Sequence, residues 1–106
     1  MVISMDIQNF WDAVLRQDAA RIRTCFAEDA YVNWHCTNER FTVEEYIRAN
    51  CEYPGEWDGV IERTETVGNL TVAVVNVYAK DRSVSFHVVS FMWIEEDRIC
   101  ALDEYW

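Results

Sequence analysis

Residues 83–94 constrain the fold most, because their side chains alternate between two sets along the chain. Alternation at a period of two is typical of a β-strand, whose successive side chains point to opposite faces of a sheet. One set is apolar except for a single serine, and its members are Val84, Phe86, Val88, Ser90, Met92 and Ile94. An apolar face of this extent must be covered, so the sequence predicts a sheet with helices packed on it.

The first half of the chain has the helical period that such a cover requires. Apolar side chains recur at the spacing of one helix face, at Ile7, Phe10, Trp11, Val14 and Leu15. This pattern predicts a first helix, with Ser4 as its N-cap and Asp6 in its first turn. Asp18 is expected to cap a second helix that ends near residues 28–29, and its apolar stripe is Ala19, Ile22, Cys25 and Phe26.

A third helix is predicted over residues 43–50, with Tyr46 and Ile47 facing inward, because Thr42 and Glu45 have the spacing of a capping box. Residues 37–40 read as a polar loop, and Gly68 with Asn69 as a two-residue hairpin turn. Runs of β-branched and aromatic residues predict strands over residues 31–36, 57–67, 70–79, 83–94 and 98–106.

Length and charge limit the classes of protein to consider. A chain of 106 residues suits one domain, which we expect to span residues 1–106. The formal net charge of −10 argues against nucleic acid and anionic membranes as partners, since both are bound by clustered Lys and Arg. The start of the chain lacks the regions of a signal peptide, and no stretch approaches the ~20 apolar residues of a membrane span. We therefore predict a cytoplasmic protein.

The four cysteines are predicted to be reduced thiols. Cys25, Cys36, Cys51 and Cys100 form no Cys-x-x-Cys pair and have no histidine at zinc-finger spacing. No group of His, Asp and Glu has the spacing of metal ligands either. We expect neither a metal nor another cofactor.

The order helix, helix, strand, helix and four antiparallel strands resembles the nuclear transport factor 2-like superfamily, also called SnoaL-like, over essentially the whole chain. The likeness is carried by Phe10 and Trp11, by residues 17–34 (QDAARIRTCFAEDAYVNW) and by residues 97–106 (DRICALDEYW). It implies an α+β fold in which a cone-shaped, strongly curved antiparallel sheet packs against three N-terminal helices around a pocket. It also implies that the convex face of the sheet often forms a dimer.

Within that superfamily, residues 26–35 (FAEDAYVNWH) resemble the segment in which ketosteroid isomerases place a catalytic Asp. Here Trp34 stands at that position, and the two oxyanion donors of those isomerases correspond to Phe10 and Ser90. A phenyl ring cannot donate a hydrogen bond or move a proton, so isomerase chemistry is not implied. The acid/base pair of SnoaL-type polyketide cyclases has no counterpart that we can place.

The last predicted strand brings one carboxylate to the pocket. Asp103 and Glu104 are adjacent, so the strand period turns one of them inward in either register. The resemblance favours Glu104, near Trp34 and Trp106. Desolvation among indole rings would raise the pKa of a carboxylate and suit it to acid/base catalysis or to anchoring a cationic or hydrogen-bonding ligand. The alternative is that Glu104 lies at the wet mouth of the cone and pairs with an Arg or a backbone group.

Ser90, Asn33 and His87 are weaker candidates for chemistry. Ser90 is the one polar member of the apolar strand face, and Asn33 or His87 would help it to orient a substrate. The near-neutral pKa of histidine suits proton transfer, but strand parity puts His87 on the face away from the helices. A hydrogen-bonded histidine at a rim or subunit interface is the alternative.

The predicted ligand-binding residues combine aromatic rings, aliphatic side chains and two polar groups: Phe10, Val14, Trp34, Trp57, Val75, Val88, Ser90, Leu102, Glu104 and Trp106. Indole rings with a carboxylate can hold an organic cation, although such rings more often belong to a core, as we expect for Trp11. On the opposite face, Val89, Phe91 and Trp93 form an apolar patch, which predicts a homodimer through the convex side of the sheet.

Three functions are compatible with this sequence. The first is a pocket that binds a small organic ligand without transforming it. The second is an enzyme of isomerase, cyclase or lyase type in which Glu104 moves a proton. The third is a dimeric interaction module without a ligand. A cavity filled by side chains would favour the module.

Overall fold

The computed structural model describes residues 6–106 and contains three helices and six strands. The helices are α1 (Ile7–Leu15), α2 (Ala19–Cys25) and α3 (Val43–Cys51). The strands are β1 (Phe26–Trp34), β2 (Glu39–Thr42), β3 (Trp57–Val67), β4 (Leu70–Ala79), β5 (Ser85–Glu95) and β6 (Arg98–Tyr105). They form one sheet in the order β2-β1-β6-β5-β4-β3, with β2 and β3 at its edges. The predicted α+β class is confirmed.

One strand pair departs from the predicted antiparallel sheet. β1 and β6 run parallel, whereas the other four pairs are antiparallel, so the sheet is mixed. The direction of β6 is fixed by its hairpin with β5, and β1 lies far away along the chain. The prediction of a wholly antiparallel sheet was wrong here, because local alternation carries no information about the direction of such a distant pairing.

Each helix begins at a side chain that accepts a backbone N–H. Asp6 is the N-cap of α1, with Oδ1 3.0 Å from the backbone N of Asn9. The predicted cap Ser4 lies outside the described residues. Asp18 caps α2 as predicted. The predicted capping box of Thr42 and Glu45 is confirmed by reciprocal hydrogen bonds of 3.2 and 2.9 Å. Among residues 6–106, no helix has both the length and the apolar character needed to cross a bilayer.

Two predicted boundaries near the start of the sheet are wrong. The second helix was expected to reach residues 28–29, but α2 ends at Cys25 and β1 begins at once with Phe26. The predicted polar loop also overlaps the start of strand β2, which pairs with β1 from Glu39 onward. In both places hydrogen bonding to neighbouring strands overrides local sequence preference.

The predicted bounds of β3 and β4 are confirmed, and those of β5 and β6 agree within two residues. A β-bulge breaks the predicted alternation in β6. Trp93 pairs with Ala101, and the next residue, Ile94, pairs with Ile99, so Cys100 has no partner on β5. Strict alternation from Glu104, the residue expected to point inward, would put Ile99 on the outer face, yet Ile99 is fully buried.

The core lies between the helices and the inner face of the sheet. α1, α2 and α3 bury the apolar stripes that the sequence predicted, including Phe10, Ile22 and Tyr46. Phe26 joins these stripes, since its ring packs edge to face against Phe10 at 5.8 Å and against Tyr46 at 5.7 Å. This aromatic cluster packs the helices over the sheet, and Tyr46 is its one member that also lines the site described next.

Candidate functional site

A row of side chains crosses three neighbouring strands on the inner face of the sheet. Trp34 of β1 pairs with Glu104 of β6, which pairs in turn with Ser90 of β5. Side chains at directly opposed positions lie on the same face and within reach of one another. The row therefore places an indole, a carboxyl group and a hydroxyl side by side.

Both oxygens of Glu104 are hydrogen-bonded within this row. Trp34 Nε1 donates to Oε1 at 3.2 Å, and Ser90 Oγ donates to Oε2 at 2.8 Å when the carboxylate is ionised. Glu104 is only 5% exposed. Burial raises the pKa of Glu104 to about 7, against the opposing effect of the two hydrogen bonds. The carboxyl group is thus poised between its two protonation states near neutral pH.

The two neighbours dictate where the proton of neutral Glu104 resides. An indole N–H can only donate, so Oε1 must remain an acceptor toward Trp34. A serine hydroxyl can also accept, so Ser90 reverses its role when Oε2 carries the proton. The site can therefore take up or release one proton at Oε2 without losing either hydrogen bond.

Glu104 lines a cavity of about 210 Å³ between the helices and the sheet. Its wall is mainly aromatic and aliphatic: Trp11, Val14, Leu15, Gln17, Trp34, Tyr46, Ala49, Asn50, Tyr53, Trp57, Val77, Phe86, Val88, Glu104 and Trp106. Tyr53, Phe86 and Trp106 are exposed and mark the mouth. Tyr46 and Glu104 are buried and lie at the inner end. The cavity is open to solvent at an aromatic rim.

The polar groups on this wall are few. Among the lining residues, Glu104 is the one with an acidic side chain, and none is Lys, Arg or His. Tyr46 also faces the cavity, and burial raises its pKa well above the ordinary value, so its phenol stays neutral. The indole Nε1 of Trp11 is buried and has no hydrogen-bond partner within residues 6–106. It is an unused donor on a residue of the wall.

Gln17 fixes the helical side of the cavity. It follows α1 with a φ of 55°, in the left-handed region that a non-glycine residue seldom occupies. Its Nε2 donates to the backbone oxygens of Asn50 and Tyr53, both at 2.8 Å. Asn50 in turn donates from Nδ2 to the backbone oxygen of Val14 at 3.0 Å. These bonds join the end of α1 to the end of α3.

Of the ten predicted ligand-binding residues, six line the cavity: Val14, Trp34, Trp57, Val88, Glu104 and Trp106. The other four do not. Phe10, Val75 and Leu102 are completely buried in the core and are not part of the cavity wall. Ser90 is also fully buried and reaches the site only through Glu104.

The structure places Asn33 and His87 away from the cavity. Asn33 donates to Asp103 Oδ1 at 2.9 Å, and His35 Nε2 lies 2.7 Å from the same oxygen. His87 is exposed, with Nε2 3.1 Å from Glu62 Oε1. Strand alternation puts these side chains on the face opposite Glu104. His87 thus lies on the outer face, as strand parity predicted, and neither His87 nor Asn33 lines the cavity in which it was to help orient a substrate.

Several residues of the wall were not predicted from the sequence. Trp11 was assigned to the core, yet it is both buried and in contact with the hollow. Tyr46 was predicted to face inward, which was a usable signal for a place in the pocket. Gln17 and Tyr53 gave no signal, because a turn and a loop bring them to the cavity. Phe86 was assigned only to the apolar strand face, without a place in the pocket. Within the described part of the chain, no group of three or more His, Cys, Asp or Glu side chains could hold a metal ion.

No curated protein matches the sequence. Solved structures do share the fold. A candidate ketosteroid isomerase from Kribbella flavida DSM 17836 is 23% identical with a TM-score of 0.83, over 93% of this chain and 73% of that one. A protein with a ketosteroid isomerase-like fold from Catenulispora acidiphila DSM 44928, in complex with trimethylamine, is 15% identical with a TM-score of 0.75, over 94% and 83%.

An LEH-like epoxide hydrolase from M. tuberculosis is 14% identical with a TM-score of 0.77, over 93% of this chain and 77% of that one. At such identities the likeness shows the fold alone. The model of the SnoaL-like domain family matches residues 7–102, which is most of the sequence. The resemblance stated from the sequence is thereby confirmed, and the chain belongs to the SnoaL-like domain family.

Proposed function

We propose that this protein binds a small organic molecule in the cavity beneath its helices. The observation that carries the proposal is a buried carboxyl group, Glu104, on the wall of an otherwise largely apolar and aromatic hollow. Ligand sites typically combine an apolar wall with a few fixed polar groups. Trp34 and Ser90 hold this carboxyl group in one orientation. A module that served only assembly would not need such a group at an open cavity.

The volume of the cavity limits the size of the ligand. Its volume of about 210 Å³ lies below the roughly 300–1,000 Å³ of sites for drug-sized molecules. The ligand should therefore be smaller than a steroid or a polyketide. The complex of the Catenulispora protein with trimethylamine supports the idea that this fold can hold so small a molecule.

A cavity-filling substitution tests the proposal. Ala49 of α3 lines the cavity, so Ala49→Phe should place a ring in the hollow. Ala20 of α2 is exposed, and Ala20→Phe is the matched control. A panel of small neutral, cationic and anionic compounds is titrated while the intrinsic fluorescence is recorded, because Trp11, Trp34, Trp57 and Trp106 all line the site. We expect saturable binding that Ala49→Phe abolishes and Ala20→Phe preserves. Binding that survives Ala49→Phe would contradict the proposal.

An enzyme of isomerase, cyclase or lyase type is the second candidate, favoured by the pKa of about 7 at Glu104. A general acid or base works best when its pKa is close to the operating pH. Glu104→Gln separates the two candidates once a ligand is known. Turnover that is lost while binding is retained supports catalysis, whereas an absence of turnover in the unmodified protein supports binding alone.

We also propose that the protein is a cytoplasmic homodimer, with a second copy of this chain on the outer face of the sheet. Val89, Phe91 and Trp93 lie there, and they pair with Val74, Val72 and Leu70 of β4. Trp93 is 48% exposed. Two copies of an apolar sheet face can pack against each other about a two-fold axis. Such an interface would leave the cavity, on the opposite face, accessible.

A further inference from the structure

We infer that the cavity selects small organic cations over neutral molecules of the same shape. This inference rests on the proposed binding function and narrows it to one class of ligand. Three features of the cavity carry it: a carboxyl group without a cationic partner, a wall of aromatic rings, and the absence of cationic side chains that would suit an anion. The cation would be an amine or a quaternary ammonium group small enough for the hollow.

The carboxyl group of Glu104 lacks a counter-charge. Its two hydrogen-bond partners, Trp34 and Ser90, are both neutral. No Lys, Arg or His is found among the residues that line the cavity in the described chain. Buried carboxylates are normally paired with a cation, because an isolated charge is costly to remove from water. A cationic ligand would supply the missing partner.

The rest of the wall suits a cation as well. Seven of the lining residues are aromatic: Trp11, Trp34, Tyr46, Tyr53, Trp57, Phe86 and Trp106. The face of an aromatic ring carries negative electrostatic potential, and indole attracts cations most strongly. The ring of Trp34 lies edge to face with Trp106 at 5.3 Å, next to the carboxyl group it bonds. The aromatic rings and the carboxylate can therefore interact with the same bound cation.

The negative charge of Glu104 also disfavours anionic ligands. An anion would meet Glu104 without any side-chain cation to offset the repulsion, and the whole chain carries a formal net charge of −10. A neutral molecule would gain apolar contact but would leave the carboxylate unpaired. A monocation gains from the rings and the carboxylate together.

Binding of a cation must be coupled to the proton on Glu104. Tyr46 is buried beside it on the wall and stays neutral, while α1 contributes only Trp11, Val14 and Leu15. The cation favours ionised Glu104, so its affinity should rise by about tenfold per pH unit below pH 7 and level off above it. A neutral ligand should show no such rise.

The test compares choline with 3,3-dimethylbutan-1-ol, its neutral analogue with the same number of heavy atoms, by isothermal titration calorimetry at pH 6 and pH 8. At pH 8 we expect choline to bind at least about tenfold more tightly than the neutral alcohol does. Glu104→Gln, which keeps the shape of the side chain, should remove most of that preference. Trp106→Leu at the cavity mouth should lower the affinity for choline, whereas Trp93→Leu on the outer face should leave that affinity unchanged.

Equal or tighter binding of the neutral alcohol would overturn the inference while leaving the proposed function intact. The inference also fails if neutral compounds of the panel bind in the cavity, as shown by their loss in Ala49→Phe, while neither choline nor trimethylammonium binds. If no compound of any charge binds the folded protein, the proposed function fails together with the inference.

Discussion

Ser90 and Glu104 face each other across β5 and β6, with Ser90 Oγ 2.8 Å from Glu104 Oε2. Both side chains are almost completely buried. A hydroxyl that can either donate or accept allows the buried carboxyl group to change protonation without leaving an unpaired oxygen. The pH dependence of stability and the chemistry of the cavity both follow from this pair.

The first prediction concerns pH and stability. Glu104 binds its proton more tightly in the folded state, with a pKa of about 7 against an ordinary value of 4.5. Its contribution to the free energy of unfolding is therefore fully present below pH 4.5, falls as pH rises toward 7, and is level above that. The total loss is on the order of 3 kcal/mol, since each pKa unit corresponds to about 1.4 kcal/mol.

Glu104→Gln is the matched variant, because an uncharged amide can keep the bonds to Trp34 and Ser90. Urea denaturation should give similar stabilities for the two proteins at pH 5 and a more stable variant at pH 8. Exposed carboxyl groups with lowered pKa values, such as Glu44 and Glu45, act in the opposite sense but are common to both proteins. Equal stabilities at pH 8 would show that Glu104 is not desolvated.

The second prediction concerns Ser90. Its hydrogen bond lowers the pKa of Glu104, so Ser90→Ala should raise that pKa further. Loss of a partner to a buried carboxyl group should also reduce the free energy of unfolding by about 1–3 kcal/mol. Carbon-detected NMR titration of Glu104 gives the pKa directly. Ser85→Ala, at an exposed position of the same strand, should leave the pKa of Glu104 unchanged and remove only an exposed hydrogen bond from Asn76.

The third prediction concerns the proposed dimer. Trp93→Glu should place like charges opposite each other across the two-fold interface and yield a monomer. Val84 has the same exposed fraction, 48%, and is not part of the apolar patch of Val89, Phe91 and Trp93, so Val84→Glu is the control. Analytical ultracentrifugation at equal concentrations distinguishes the two. An unmodified protein that sediments as a monomer would contradict the proposal.

The fourth prediction concerns Gly59 of β3, where the sheet passes close to α1. A Cβ at this position would lie 2.8 Å from the backbone oxygen of Asn76 and 3.2 Å from Leu15 Cδ1. Gly59→Ala should therefore destabilise the protein by about 1–3 kcal/mol. Val60→Ala, at the exposed neighbouring position, should stay within about 0.5–1 kcal/mol of the unmodified protein in urea denaturation. An unchanged free energy of unfolding in Gly59→Ala would show that β3 can shift relative to both β4 and α1.

Elements specified by short-range patterns were predicted well. The capping box of Thr42 and Glu45 starts α3 as expected, and the two-residue turn before β4 sets the bounds of β3 and β4. Strand parity also separated Glu104, on the inner face, from His87, on the outer one. Each of these features depends on residues a few positions apart, so the sequence expresses it directly.

Features that depend on how the strands pair were missed. The bulge at Cys100 turns Ile99 into the core, although the alternation of β6 assigns it to the outer face. The parallel pairing of β1 with β6 and the strand β2 were also not expected. The parallel pairing is decided by a partner about 70 residues away along the chain. The bulge and β2 depend instead on the register of a strand that is close in sequence, which alternation alone does not specify.

The sequence by itself determined the class of fold, the face of each helix that is buried and the presence of a carboxyl group beside indole rings. Only the tertiary structure decided that Trp34, Glu104 and Ser90 form one row, that Phe10 and Val75 are core rather than wall, and that an open cavity remains. The physical reason is that periodicity fixes the direction of a side chain relative to its own element. The space left between elements depends on strand register and on how closely the helices approach the sheet.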